Sequence, residues 1–229
     1  MAPELFGIEH ILYIIISAIS AVAVLLLARR LAVNERSQGL FLKLLALLLF
    51  AAITANRLSQ VFRYGAPQWF RIIPDSFCGM TSLVLSLAVI FGKKDNAALH
   101  FVWLPGLFGG ISTVIYATFV GQGPSIFYLP TISGLLHHSI SATLVVALFM
   151  FGQIRITYKK WYYSLFGFTS YLTLGAFLMQ TFDLSDAFHI AEPLLPGTPL
   201  TVWVMAPMYA AAYALILLVV EIINKKRNK

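Results

Sequence analysis

Cys78 and the adjacent pair His137 and His138 are the side chains in this sequence whose types best suit catalysis. Cys78 is the only cysteine. It stands in Pro74-Asp75-Ser76-Phe77-Cys78. A proline near the first helical position, with Asp or Ser as cap, marks a helix start. Unpaired N–H groups at such a start stabilise a thiolate, and a thiolate served by an imidazole is an activated nucleophile. His137 or His138 is the candidate general base. Adjacent helical residues diverge by about 100°, so only one of the two is expected to face Cys78 directly. The same residues admit a plainer reading. A lone cysteine in an apolar helix packs as a small hydrophobe, and a histidine in a span hydrogen-bonds a neighbouring helix. A metal would have to use His137, His138 and Asp183 or Asp186. No H-x-x-x-H or E-x-x-H spacing is present, so neither a metal nor a cofactor is expected.

The elements that must position these residues are membrane spans. Of the 229 residues, 59% are hydrophobic and 11% are charged, against about 45–50% and about 25% in soluble domains. That balance excludes an ordinary water-soluble enzyme, a disordered chain and a nucleic-acid-binding domain. A helical span needs about 20 mostly apolar residues. Seven candidates fall at 8–28, 40–62, 75–92, 97–120, 129–153, 161–182 and 200–223. They fill most of residues 1–229, so one all-α transmembrane domain is expected, a polytopic seven-helix bundle. Thirteen of the sixteen lysines and arginines fall at one set of span ends: Arg29 to Lys43, Lys93 and Lys94, Arg155 to Lys160, and the Lys225–Lys229 tail. The positive-inside rule then puts the N-terminus outside and the C-terminus in the cytoplasm.

Arg57, Arg63 and Arg71 are the exceptions, all between the second and third spans on the outer side. There they can hold phosphate by bidentate hydrogen bonds, or simply sit at headgroup level. Counting from the span ends at about 1.5 Å per residue places Asn56, Gln60, Cys78, Tyr116, His137, His138 and Tyr209 in the same outer half. Polar residues inside spans usually line an interior, so a shared pocket open to the outer leaflet is expected. The segment 183–199, with Asp183, Asp186, Glu192 and three prolines, reads as an irregular re-entrant or surface loop.

The sequence resembles the YwaF family of bacterial membrane proteins, whose eukaryotic relative is transmembrane protein 164. Four pieces carry the resemblance, in order along nearly the whole chain. Ile73-Pro74-Asp75-Ser76-Phe77-Cys78 stands where the family tends to show Leu-Pro-x-x-Leu-Cys. Trp103-Leu104-Pro105-Gly106 and Gly109-Gly110 form a glycine-rich fourth span. His137-His138-Ser139 opens the fifth, and Pro207-Met208-Tyr209 lies in the last. His138 fits the family's histidine-then-small-residue pattern slightly better than His137. The family often has an Asn-Tyr pair after its sixth span, whereas this chain reads Asp183-Leu184-Ser185-Asp186.

The resemblance implies a lipid acyltransferase of the cell membrane of a bacterium. Cys78 would take an acyl chain as a thioester, and His138 or His137 would act as base. Asn56, Gln60, Tyr116 or Tyr209 would supply the oxyanion donor. Membrane lipids are then the expected partners, nucleic acid is not, and a protein partner is undefined. Two other readings stand beside this one. A non-enzymatic seven-helix carrier or receptor for a lipid or small molecule would bind without a covalent adduct. A subunit of a larger membrane assembly would hold a stable protein partner.

Overall fold

The computed structural model describes residues 5–117, 125–195 and 197–227. Seven α-helices follow one another: α1 (Ile8–Leu31), α2 (Glu35–Tyr64), α3 (Phe77–Phe91), α4 (Ala97–Ile115), α5 (Leu129–Met150), α6 (Tyr162–Phe182) and α7 (Val202–Arg227). A 3-10 stretch, Ala66–Ile72, leads into α3, and a 3-10 turn, Tyr158–Lys160, leads into α6. No strand occurs among the described residues. This is a membrane protein with several transmembrane helices.

Six helices have the length and hydropathy of a span, α6 together with its preceding turn. The exception is α3. Its 15 residues rise only about 22 Å, against a hydrocarbon core of about 30 Å. Only when joined to Ala66–Ile72, across a 64° bend, does it make a seventh candidate. The break has local causes. Gly65 ends α2 at a φ of 88°, its N–H closing on the Val61 carbonyl. Pro74 has no N–H to continue a helix, and the Ser76 side chain caps α3 by accepting from Gly79 N–H (3.3 Å).

Other boundaries differ from expectation for equally local reasons. α2 begins five residues before the expected 40. The Asn34 side chain accepts from Ser37 N–H (2.9 Å), and Ser37 Oγ accepts from Asn34 N–H (3.2 Å). Two of its orphan donors are thereby satisfied. α4 ends at Ile115 rather than 120, and residues 118–120 of that expected span lie outside the described residues.

α5 is the central helix, packed between α2 and α4, with α3 closing the gap between those two and α6 lying on α4. α1 is peripheral. Only 6% of its most apolar window is buried, as suits a face bathed in acyl chains. Polar contacts tie it in, among them Glu9 Oε2, which accepts from Ile126 N–H (3.2 Å). Tyr13 Oη meets Ser139 Oγ at 2.8 Å. His10 Nδ1 accepts from Phe6 N–H (3.1 Å), so its protonated Nε2 donates to the Val114 carbonyl (2.9 Å).

Small residues set the α4–α5 spacing. Gly106 and Gly110 are one turn apart and let the two backbones approach closely, as small-xxx-small faces do in membranes. A Cβ on Gly110 would lie 2.6 Å from the His138 carbonyl oxygen, and one on Gly106 would lie 3.1 Å from Ser141 Oγ. Ser141 donates to the Gly106 carbonyl across this seam (3.2 Å).

The end of the bundle away from Cys78 is held by Asp95, in the α3–α4 loop. Its carboxylate accepts from Arg155 N–H (2.9 Å), meets His100 Nε2 at 2.7 Å and pairs with the Lys160 ammonium. Burial pushes the Asp95 pKa up, but Lys160, the Arg155 N–H and His100 outweigh it and hold the carboxyl below its ordinary range. A carboxyl lowered on folding adds stability above its unfolded pKa of about 3.9 and loses it as pH falls through the folded value. The thermal midpoint in detergent is therefore expected to fall as pH drops below about 4. Asp95→Asn should be less stable near neutrality and should show a shallower acid fall in the same pH series.

Candidate functional site

Cys78 is the second residue of α3, in the turn capped by Ser76. Cys78 is half-buried and lines a cavity of about 550 Å³. The cavity is walled by the end of α2, Arg71, the start of α3, Phe101 to Thr113 of α4, the start of α5, Phe168 of α6, His189 and Leu194, and the early turns of α7. The Thr113 hydroxyl, one turn beyond Gly109 on α4, is the polar neighbour of the thiol.

Gly109 joins the thiol to the imidazole. A Cβ on Gly109 would sit 3.3 Å from Cys78 Sγ, and the Gly109 carbonyl faces the His138 ring. Both groups therefore pack on one residue of α4, from helices on either side of it. The close α4–α5 seam at Gly110 is what carries His138 to this position. Both histidines line the cavity. Their surroundings differ. His137 Nδ1 is tied to the buried Ser82 hydroxyl at 3.0 Å, while His138 lies on the Gly109 side. Their ring centroids are 4.1 Å apart. Among the described residues no hydrogen bond joins Cys78 to either imidazole.

The three arginines also reach the cavity, but with different company. Arg57 Nη1 is paired with Asp75 Oδ1 at 2.9 Å. Arg63 and Arg71 flank the Tyr64 ring, 5.5 and 4.0 Å from its centroid. No carboxylate pairs with either of them among the described residues, and Arg71 Nε donates to Gln68 Oε1 (2.8 Å). Arg63 and Arg71, rather than Arg57, are thus the cations free for an anion.

Of the four expected oxyanion donors, Asn56 is already committed. Its amide donates to the Pro130 carbonyl (3.1 Å) and to Ser133 Oγ (3.2 Å), pinning α2 to α5. Gln60 and Tyr209 line the cavity, and Tyr116 does not. Tyr116 caps α4 and is 43% exposed. The Tyr209 hydroxyl is buried with no hydrogen-bond partner.

The TMEM164 family model matches residues 5–223. The chain belongs to the TMEM164 family. The YwaF link is consistent with that family. No curated protein and no solved structure matches the chain significantly. Within this TMEM164-family chain the recognisable sequence pieces gather around one space: Cys78, Pro105, Gly109, His137, His138 and Tyr209 all line the cavity.

The 183–199 segment of the TMEM164-family chain contributes more than its sequence suggested. Asp186 accepts from His189 N–H (3.1 Å), Ala191 N–H (2.8 Å) and Glu192 N–H (3.3 Å). That organisation turns Phe188 inward, where it is 1% exposed and its N–H donates to the Asp75 carbonyl (2.8 Å). Phe188 and His189 both hold φ near 56°, a left-handed conformation costly for such residues. His189 thereby lines the cavity. His189 and Asp75 are site residues that sequence reasoning missed. Only Asp75 carried a signal, and it was read as a helix cap rather than as the partner of Arg57.

Proposed function

We propose that the protein is a phospholipid acyltransferase that passes an acyl chain through a thioester on Cys78. The observation that carries this reading is the convergence of the Cys78 thiol and the His138 ring on Gly109, in the wall of one cavity. The Cys78 thiol gives its proton to His138. The thiolate attacks the ester carbonyl of a donor phospholipid, a C–S bond forms, and the ester C–O bond breaks. His138 returns the proton to the departing lysophospholipid oxygen. In the second half, the hydroxyl of an acceptor lysophospholipid gives its proton to His138 and attacks the thioester. The new ester C–O bond forms, the C–S bond breaks, and His138 returns the proton to the Cys78 thiolate. The unpartnered Tyr209 hydroxyl is the candidate oxyanion donor, and Arg63 with Arg71 takes the lipid phosphate. The excess of lysine and arginine at the opposite helix ends supports an N-terminus outside and a C-terminus in the cytoplasm. The cavity then opens in the outer half of the cell membrane of a bacterium.

The absence of a thiol–imidazole hydrogen bond favours a second reading, a lipid carrier in which Cys78 only packs. Transfer of an isotope-labelled palmitoyl group from phosphatidylcholine to lysophosphatidylcholine in nanodiscs separates the two. The expected result is time-dependent transfer by the wild type and none by Cys78→Ala. The double variant Arg63→Gln with Arg71→Gln should raise KM for the donor more than it lowers kcat, because it removes binding common to ground and transition states. Equal transfer by Cys78→Ala and wild type would overturn the acyl-thioester reading.

A further inference from the structure

A second space of about 700 Å³ lies between α6 and α7 and is almost wholly apolar. Ala206, Ala210 and Ala214 line one wall from α7, while Trp161, Leu165 and Phe168 line the other. The alanines recur at four-residue intervals, so they share one helix face. Their side chains end at Cβ, so this face of α7 leaves the groove open beside α6. Phe168 and Tyr209 line both this groove and the cavity of Cys78. Their rings stack 6.3 Å apart at 19° and form the partition between the two spaces.

Polar groups at the partition are left unsatisfied. Ser164 lines the groove, is 5% exposed, and its hydroxyl has no hydrogen-bond partner. The Tyr209 hydroxyl is its polar neighbour, and neither hydroxyl reaches a partner in full hydrogen-bond geometry. A ligand oxygen at the junction would satisfy both. From Tyr209 to Glu221 the α7 wall runs about 18 Å, the length of an extended long fatty-acyl chain.

We propose that the groove between α6 and α7 seats the acyl chain being transferred, threaded from the Cys78 cavity past Phe168 and Tyr209. The proposal rests on the acyltransferase reading for the identity of the chain. Its continuity with the thiol cavity, its apolar walls and its unpartnered Ser164 favour a hydrocarbon chain with an oxygen-bearing head over a second copy of the protein. Groove depth then sets chain-length preference.

The test uses the full chain in phosphatidylcholine nanodiscs, with a probe phosphatidylcholine carrying a diazirine at the end of one palmitoyl chain. Photolabelling of Cys78→Ala, which cannot turn over, is expected to concentrate on Leu165 and on Ala210 to Leu218, above the lipid-facing Ile15 to Ile19 of α1. Adding Ala214→Trp, or the milder Ala210→Leu, should cut groove labelling about tenfold and leave α1 labelling unchanged. In the wild-type background the same substitutions should lower palmitoyl loading of Cys78 about tenfold relative to octanoyl loading. Equal labelling of the groove and α1, crosslinking of the groove to a second protein copy, or unchanged chain preference would overturn the proposal. If the groove is labelled selectively while wild-type Cys78 is never acylated, the groove stands as a lipid seat and the acyltransferase reading falls. If Cys78 is acylated and chain preference ignores the groove variants, that reading stands and the groove assignment falls.

Discussion

His138→Ala is expected to slow acyl transfer by roughly 10²–10⁴-fold, the usual contribution of a positioned general base. His137→Ala should cost markedly less. The difference follows from what each ring touches. His138 shares Gly109 with the Cys78 thiol, whereas His137 is tied through Nδ1 to Ser82 in the buried interior. Ser82→Ala supplies the control. If His137 were the base, loss of its hydroxyl anchor would slow transfer about as much as loss of the ring. With His138 as base, Ser82→Ala should act chiefly on stability. Rates of Cys78 alkylation by iodoacetamide, measured beside transfer rates, separate activation of the thiol from protonation of the leaving group. Loss of base should lower both, and a larger defect in His137→Ala than in His138→Ala would reverse the assignment.

Gly110→Val should be the most damaging change outside the site. A Cβ at this position meets the His138 backbone oxygen at 2.6 Å, and the branched side chain adds two further methyl groups, so α4 and α5 must part. Overpacking of a tight seam costs about 1–3 kcal/mol, and here it also carries His138 away from Gly109. The expected outcome is a lower thermal midpoint in detergent together with a loss of transfer larger than the loss of folded protein. Gly109→Ala is the gentler partner. Its Cβ meets only Cys78 Sγ, at 3.3 Å, so transfer should fall while the thermal midpoint changes little. A Gly110→Val protein with unchanged midpoint and unchanged transfer would show that the seam does not set the site.

The spans and the polar layer were legible in the sequence because each rests on a local signal. Long apolar runs mark α1, α2 and α4 to α7, and the Pro74–Ser76 start marks α3. Depth counting brought Cys78, His137, His138, Gln60 and Tyr209 to one cavity, since helix rise is fixed. The 3-10 stretch Ala66–Ile72 between α2 and α3 was less visible, because Gly65 and Pro67 act through backbone geometry rather than hydropathy. Lateral contacts were not legible. Rise gives a residue's depth but not which neighbour it meets, so Arg57 could not be matched with Asp75, nor Asn56 with Pro130 and Ser133. Tyr116 has the right depth, yet it lies outside the cavity wall. His189 was hidden for a third reason. It reaches the cavity through a loop folded by Asp186 and by two left-handed residues, and no hydrophobic period announces that conformation.

The central claim is a covalent acyl group on Cys78, and intact-protein mass spectrometry tests it most directly. The purified protein would be incubated with mixed phospholipids and weighed with and without hydroxylamine. The account predicts one fatty-acyl mass, localised to Cys78, removed by hydroxylamine and absent from Cys78→Ala and from the His137/His138 double alanine variant. A wild-type Cys78 that stays unmodified while a lipid remains tightly bound would contradict it and leave the protein a carrier.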